Sequence, residues 1–355
     1  MENIENTPLQ QAESPNALPT DTLSNDTLLT DNSTTNTLST DDPSADTLPQ
    51  VEKITLKNAS KIFSQISLAL LLYLAVASLG QIFTAFVAGM FFPDIMQNKI
   101  AVPLFTFLPQ YLLAFPLTLL IFRKIKYTPQ PKTKLSVGNL LGFSAVSYGG
   151  MLITNIATLA LVSLIMSLLS KTAQNPLEAL VGGSIPLLNI LFVGLIAPIV
   201  EEILFRKMII DRVAKYGELT AVIFSGIVFG LFHTNLFQFF YATLLGLIFA
   251  YVYVKTRNII YPIIMHMIIN LTSSVLPFAE QNEIALSVIS LLIVAALIFG
   301  IVFFCKNIKK VNFQKGDIVI PKGKRFKTIF LNFGGIVFLV ITVSVAVAIF
   351  VLMLV

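Results

Sequence analysis

Past residue 60 the sequence is dominated by apolar runs of about twenty residues, long enough to cross a hydrocarbon core of roughly 30 Å. They lie near 63–92, 101–122, 138–169, 186–205, 219–235, 236–254, 259–277, 284–304 and 328–355. The expected fold class is therefore all-α: a polytopic transmembrane helix bundle of about eight or nine spans. The third run is long and carries Gly149-Gly150, so part of it is expected to bend or to lie in the interface. Only His233-Thr234-Asn235 separates the fifth and sixth runs, which predicts a tight hairpin. With 55% hydrophobic and 12% charged residues, the chain has too little charge for a soluble domain.

Charge divides the chain. Residues 1–50 hold nine Asp or Glu and no Lys or Arg, leaving 24 basic against 10 acidic residues in the remainder. That basic excess suits a border of anionic lipid, and no nucleic-acid partner is expected. The first fifty residues repeat small units such as Asp21-Thr22-Leu23 and Asp46-Thr47-Leu48 and hold no aromatic residue. They are expected to form a disordered acidic tail, because they cannot bury enough apolar surface to offset ordering. They do not read as a cleavable signal peptide, so insertion is expected to rely on the spans. The lone cysteine, Cys305, permits no internal disulfide.

With the N-terminus in the cytoplasm and nine alternating spans, the inside segments hold 22 of the 24 basic residues, and the outside loops keep Lys99 and Lys171. This bias predicts a cytoplasmic N-terminus, in a multi-pass protein of a cell membrane. The Lys-, Asn- and Ile-rich composition without Trp suits a low-GC bacterium. The division is then a tail over 1–60, N-terminal membrane helices over 61–137, a core over 138–280 and C-terminal membrane helices over 281–355.

Charged and imidazole side chains inside spans are costly and call for a reason. Three clusters stand out. In Glu201-Glu202-Ile203-Leu204-Phe205-Arg206, Glu202 and Arg206 share a helix face at i, i+4 as an ion pair. Glu201 points about 100° away and is free for another task. Phe229-Gly230-Leu231-Phe232-His233 carries one of the two histidines, and Gly226 and Gly230 let a second helix approach closely. His266-Met267-Ile268-Ile269-Asn270 again pairs polar residues at i, i+4. Each cluster has a plain structural alternative: ion pairing at a helix end, a hydrogen-bonded lone histidine, and helix-packing glue. Depth connects them. At a rise of roughly 1.5 Å per residue, Glu201 and His233 lie about 22 Å from their basic-side turns, Asn270 about 20 Å and His266 about 14 Å.

The three motifs resemble the family of intramembrane proteases that includes CAAX prenyl endopeptidases and the bacteriocin-processing and immunity (CPBP, Abi) proteins. Glu201, Glu202 and Arg206 match its Glu-Glu-x-x-x-Arg; Phe229 and His233 match its Phe-x-x-x-His; His266 and Asn270 match its His-x-x-x-Asn. The resemblance covers about residues 140–280. It implies an endopeptidase in which Glu201 and His233 activate water while His266 and Asn270 stabilise the oxyanion, with Glu202, Arg206 and Phe229 supporting them. Such chemistry needs an activated water and a held oxyanion, and neither a serine nor a cysteine nucleophile. Water is expected to reach the site from the cytoplasm, since Arg206, Lys207, Asp211 and Arg212 make that half of the helix polar. The implied partners are the bilayer and a peptide or membrane-protein substrate, such as a pheromone or bacteriocin leader.

Two other functions compete. One is a non-catalytic immunity or cell-envelope protein; the other is a transporter, against which no repeat of the motifs occurs elsewhere. A metal also stays open. Glu201, His233 and His266 would give zinc three ligands and leave a position for water. They lie on three separate helices without His-Glu-x-x-His spacing, and neither histidine has an acidic neighbour in its own helix to fix its tautomer. Metal-free glutamate chemistry is therefore the favoured reading, with zinc or another divalent metal as the alternative cofactor.

Overall fold

The computed structural model describes residues 43–169, 171, 185–279 and 282–352. Contacts divide the chain into Met1–Asp46 and Thr47–Val355. Of the first unit only residues 43–46 are described, as helix; the second is described below. The acidic tail up to residue 42 lies outside the described residues.

Backbone N–H and C=O groups in lipid must be satisfied within their own segment, which favours helices for apolar runs. The elements are α1 (Pro43–Phe91), α2 (Ala101–Phe122), α3 (Val137–Leu168), α4 (Pro186–Tyr216), α5 (Glu218–Phe232), α6 (Leu236–Thr256), α7 (Ile260–Ala279), α8 (Glu283–Asn307), α9 (Lys322–Ile329) and α10 (Phe333–Leu352). Eight of them are long and apolar enough to span a bilayer. The chain is a polytopic helical membrane protein.

Three boundaries differ from the sequence expectations. Residues 43–60, placed in the tail, are helical and continue without a break into the first span. α3 runs through Gly149-Gly150 as one helix. Those glycines serve packing instead: a Cβ on Gly150 would stand 2.7 Å from Leu244, and one on Gly149 3.1 Å from Leu297. The fifth run yields only the 15-residue α5, about 22 Å long at 1.5 Å per residue and too short to cross. Its far end, with His233, therefore stops partway through the bundle.

The expected hairpin forms there. Thr234 takes a left-handed backbone (φ 47°), and the Asn235 side chain caps α6 by accepting from Phe237 N at 3.0 Å. α5 and α6 then pack backbone to backbone. A Cβ on Gly246 would stand 3.0 Å from Gly226 Cα, and one on Gly230 would stand 2.8 Å from the Phe239 carbonyl.

The basic segments gather on one side. Thr133 N donates to the Thr256 carbonyl at 2.8 Å, Lys255 pairs with Glu218, and Glu218 N donates to the Gln314 carbonyl at 3.1 Å. Lys324 pairs with Glu52 on α1. The loops after α2, α4, α6 and α8 thus share a face with the N-terminal part of α1.

Candidate active site

The acid-bearing helix is irregular in a way that matters. Within α4, Asn189–Ile196 and Ile203–Ile210 are wound as π-helix, and the α-helical Ala197–Glu202 lies between them. Ala197 N donates to the Phe192 carbonyl five residues back. In that register the Val193 carbonyl would accept from residue 198, and Pro198 has no N–H. Asn270 on α7 supplies the missing donor: its Nδ2 reaches the Val193 oxygen at 3.0 Å. Such π segments are frequent at functional sites. The amide nitrogen keeps a second hydrogen that this bond does not use.

One turn further on, the two carboxylates part. Glu202 is fully buried, its side chain 0% exposed, whereas that of Glu201 is 24% exposed. Arg206, also fully buried, places Nε 2.8 Å from Glu202 Oε2 and donates through Nη2 to Oε1 at 3.1 Å. Its Nη1 donates to Ser225 Oγ at 3.1 Å, and Ser225 donates to the Phe205 carbonyl at 3.0 Å. Its guanidinium lies 4.7 Å from the centre of the Phe229 ring. A buried ion pair is worth keeping only when its remaining hydrogen-bonding groups are satisfied, and Ser225 and Phe229 contribute to that.

His266 closes the cluster across helices. Its Nδ1 lies 2.9 Å from Glu202 Oε1, and its Nε2 lies 3.9 Å from Glu201 Oε2. An ionised carboxylate only accepts, so Nδ1 carries the proton in that contact. Glu202 thereby orients His266 toward Glu201. The acidic neighbour absent from the histidine's own helix is provided by α4 instead.

His233 is oriented by backbone: its Nδ1 lies 2.8 Å from the Phe229 carbonyl. The Phe229 ring stands edge-on to both imidazoles, 4.9 Å from His233 and 5.9 Å from His266. Phe229 therefore touches Arg206 and both histidines. Glu201, Glu202, Arg206, Phe229 and His266 form one contact cluster. His233 joins it through Phe229, and Asn270 sits a turn beyond His266, tied to α4.

Sequence spacing did not point to Ser225, or to three phenols within electrostatic reach of Glu201: Tyr73 on α1, Tyr111 on α2 and Tyr241 on α6. Each sits in an apolar run with no motif to single it out, and Tyr241 directly follows Phe239 and Phe240. Among the described residues no three His, Cys, Asp or Glu side chains stand close enough together to hold a metal ion.

The acid–histidine cluster of this helical membrane bundle lies in the segment for which similar proteins are known. Residues 183–272, about a quarter of the chain, match the family model described as "Type II CAAX prenyl endopeptidase Rce1-like". All seven motif residues lie within the match. "Putative membrane peptidase YdiL" of Bacillus subtilis (strain 168) is 34% identical over 88 residues, covering 24% of this chain and 36% of that protein. The chain thus matches about a third of that relative's length. No solved structure matches.

Proposed function

We propose that this protein is an intramembrane endopeptidase that hydrolyses peptide bonds with a glutamate-activated water, in a site open to the cytoplasm. The observation that carries the reading is the asymmetry of the adjacent acids: Glu202 is sealed against Arg206, while Glu201 stays partly exposed, 3.9 Å from His266 Nε2. An oxygen seated between Glu201 and His266 reaches both groups.

Glu201 takes a proton from water as the oxygen attacks the scissile carbonyl carbon. The carbonyl oxygen gains negative charge and is held by His266 and by the unused N–H of Asn270. Donation from His266 to the oxyanion requires a proton on Nε2, the ring nitrogen that faces Glu201. Collapse of the intermediate breaks the C–N bond, and Glu201 returns its proton to the leaving amine. His233, with Nδ1 committed to the Phe229 carbonyl, offers Nε2 to the same water.

The cytoplasmic orientation rests on the gathering of basic loops on one face. The substrate is proposed to be a peptide leader, a pheromone or a membrane protein of a bacterial cell. A metal-dependent variant has one observation in its favour: a carboxylate behind a histidine, as Glu202 stands behind His266, is a common second layer around zinc. The failure of three donors to converge favours the metal-free form. A non-catalytic binder is separated by Glu201→Gln, which keeps shape and removes the base. An enzyme loses its cellular phenotype while the variant accumulates normally in the membrane; a binder keeps it.

A further inference from the structure

On the basic face the loops enclose a polar cavity of about 430 Å³ that none of the acid–histidine cluster's residues lines. Lys126 follows α2, Lys215 closes α4, Arg257 follows α6, and Lys315 lies in the 308–321 segment; all four line it. Three acids line it as well: Asp211, Glu218 and Asp317. Two of these are already engaged. Asp211 accepts from Lys207 and, at 2.8 Å, from the Tyr253 hydroxyl. Glu218 accepts from Lys255 and, at 2.9 Å, from Gln314 N. None of the four lining cations makes an ion pair among the described residues, although Lys215 lies over the Tyr216 ring. The unengaged charge is therefore four positive groups against Asp317.

Arg257 sharpens this. It is half-buried, and its Nη1 is shut off from solvent with no hydrogen-bond partner. Its backbone is left-handed (φ 52°, ψ 18°), a conformation that disfavours any side chain with a Cβ. The left-handed backbone belongs to the C-cap that ends α6, but burying a guanidinium nitrogen without a partner is unfavourable. An anion completing the site supplies that partner. The planar fork of arginine suits phosphate oxygens, and flanking lysines add point charges. The cavity lies at the basic ends of the apolar helices α2, α4 and α6, and is too large for a bare ion.

We propose that this cavity binds a phosphate group, with Arg257 contacting its oxygens and Lys126, Lys215 and Lys315 surrounding it. The phosphate belongs either to a phospholipid headgroup or to a soluble phosphate. The test uses the full chain in detergent and measures its thermal unfolding midpoint with inorganic phosphate against chloride at equal ionic strength. A second arm uses nanodiscs of phosphatidylcholine with and without phosphatidylglycerol. Wild type should gain several degrees in at least one arm. A gain from inorganic phosphate indicates a soluble ligand, and one confined to phosphatidylglycerol indicates a headgroup. Arg257→Gln should lose the gain, and the exposed pair Lys126→Gln/Lys315→Gln should reduce it even if Arg257→Gln folds poorly. Lys309→Gln/Lys322→Gln removes the same charge elsewhere and should keep it. No gain in either arm, or a gain retained when Lys126 and Lys315 are replaced, overturns the proposal.

Discussion

His266 Nδ1 lies 2.9 Å from Glu202 Oε1, across 64 residues of sequence. That contact makes the Glu202–Arg206 pair a mounting for the histidine. Glu202→Gln should therefore harm folding before chemistry, because it leaves Arg206 buried without its counter-charge. Removing one partner of a buried pair costs about 3–5 kcal/mol. The measurement is the yield and unfolding midpoint of purified protein beside Glu201→Gln, which should behave as wild type. Equal loss in both variants would make the pair of acids purely structural.

Pro198 and Asn270 should be coupled. Pro198→Ala restores an N–H that can reach the Val193 carbonyl and releases Asn270 from α4. Asn270→Ala should then cost less in the Pro198→Ala background than alone, with a coupling of about 0.5–3 kcal/mol in a double-mutant cycle. Additive effects would show that the Asn270–Val193 bond does not depend on the proline.

Much of this site was legible in the primary structure, because i, i+4 spacing places Glu202 with Arg206 and His266 with Asn270 whatever the bundle does. The contacts between helices were not. Glu202 with His266, and Asn270 with Val193, depend on the π-wound register of α4 and on how α7 leans against it, and no local spacing encodes either. The end of α5 at His233-Thr234-Asn235 was legible too, but an alternation of nine spans counts that helix as one that crosses, and its 15 residues are too few.

The α5–α6 contact should be intolerant of volume. Gly230→Val would drive a Cβ to 2.0 Å from Thr243 Oγ1 and 2.8 Å from the Phe239 carbonyl. Forced overpacking of this kind costs about 1–3 kcal/mol. The hairpin carrying His233 should shift, so activity should fall further than the unfolding midpoint suggests. Full activity in Gly230→Val would detach His233 from the site.

Orientation is tested by labelling. In a Cys305→Ser background, single cysteines at Lys132 and Lys315 should be shielded from an impermeant thiol reagent in intact cells. A cysteine at Asn282 should react. All three positions are exposed on the protein surface, so burial within the fold does not explain protection. Labelling at position 132 from outside would reverse the orientation and close the proposed cytoplasmic route.

Metal removal separates the two forms of the chemistry. Detergent-purified protein dialysed against a strong chelator should keep its cleavage activity, with no zinc by elemental analysis of the same sample. Activity that vanishes and returns only with added zinc would recast His233 and His266 as ligands.

The most direct measurement compares the membrane peptidomes of cells producing equal amounts of wild type and Glu201→Gln. Loss of a general base lowers rates by about 10²–10⁴-fold. Peptide ends present with wild type should therefore disappear with Glu201→Gln, and their uncut precursors should accumulate. Identical peptide ends in the two strains, at equal protein levels, would contradict a peptidase that works through Glu201.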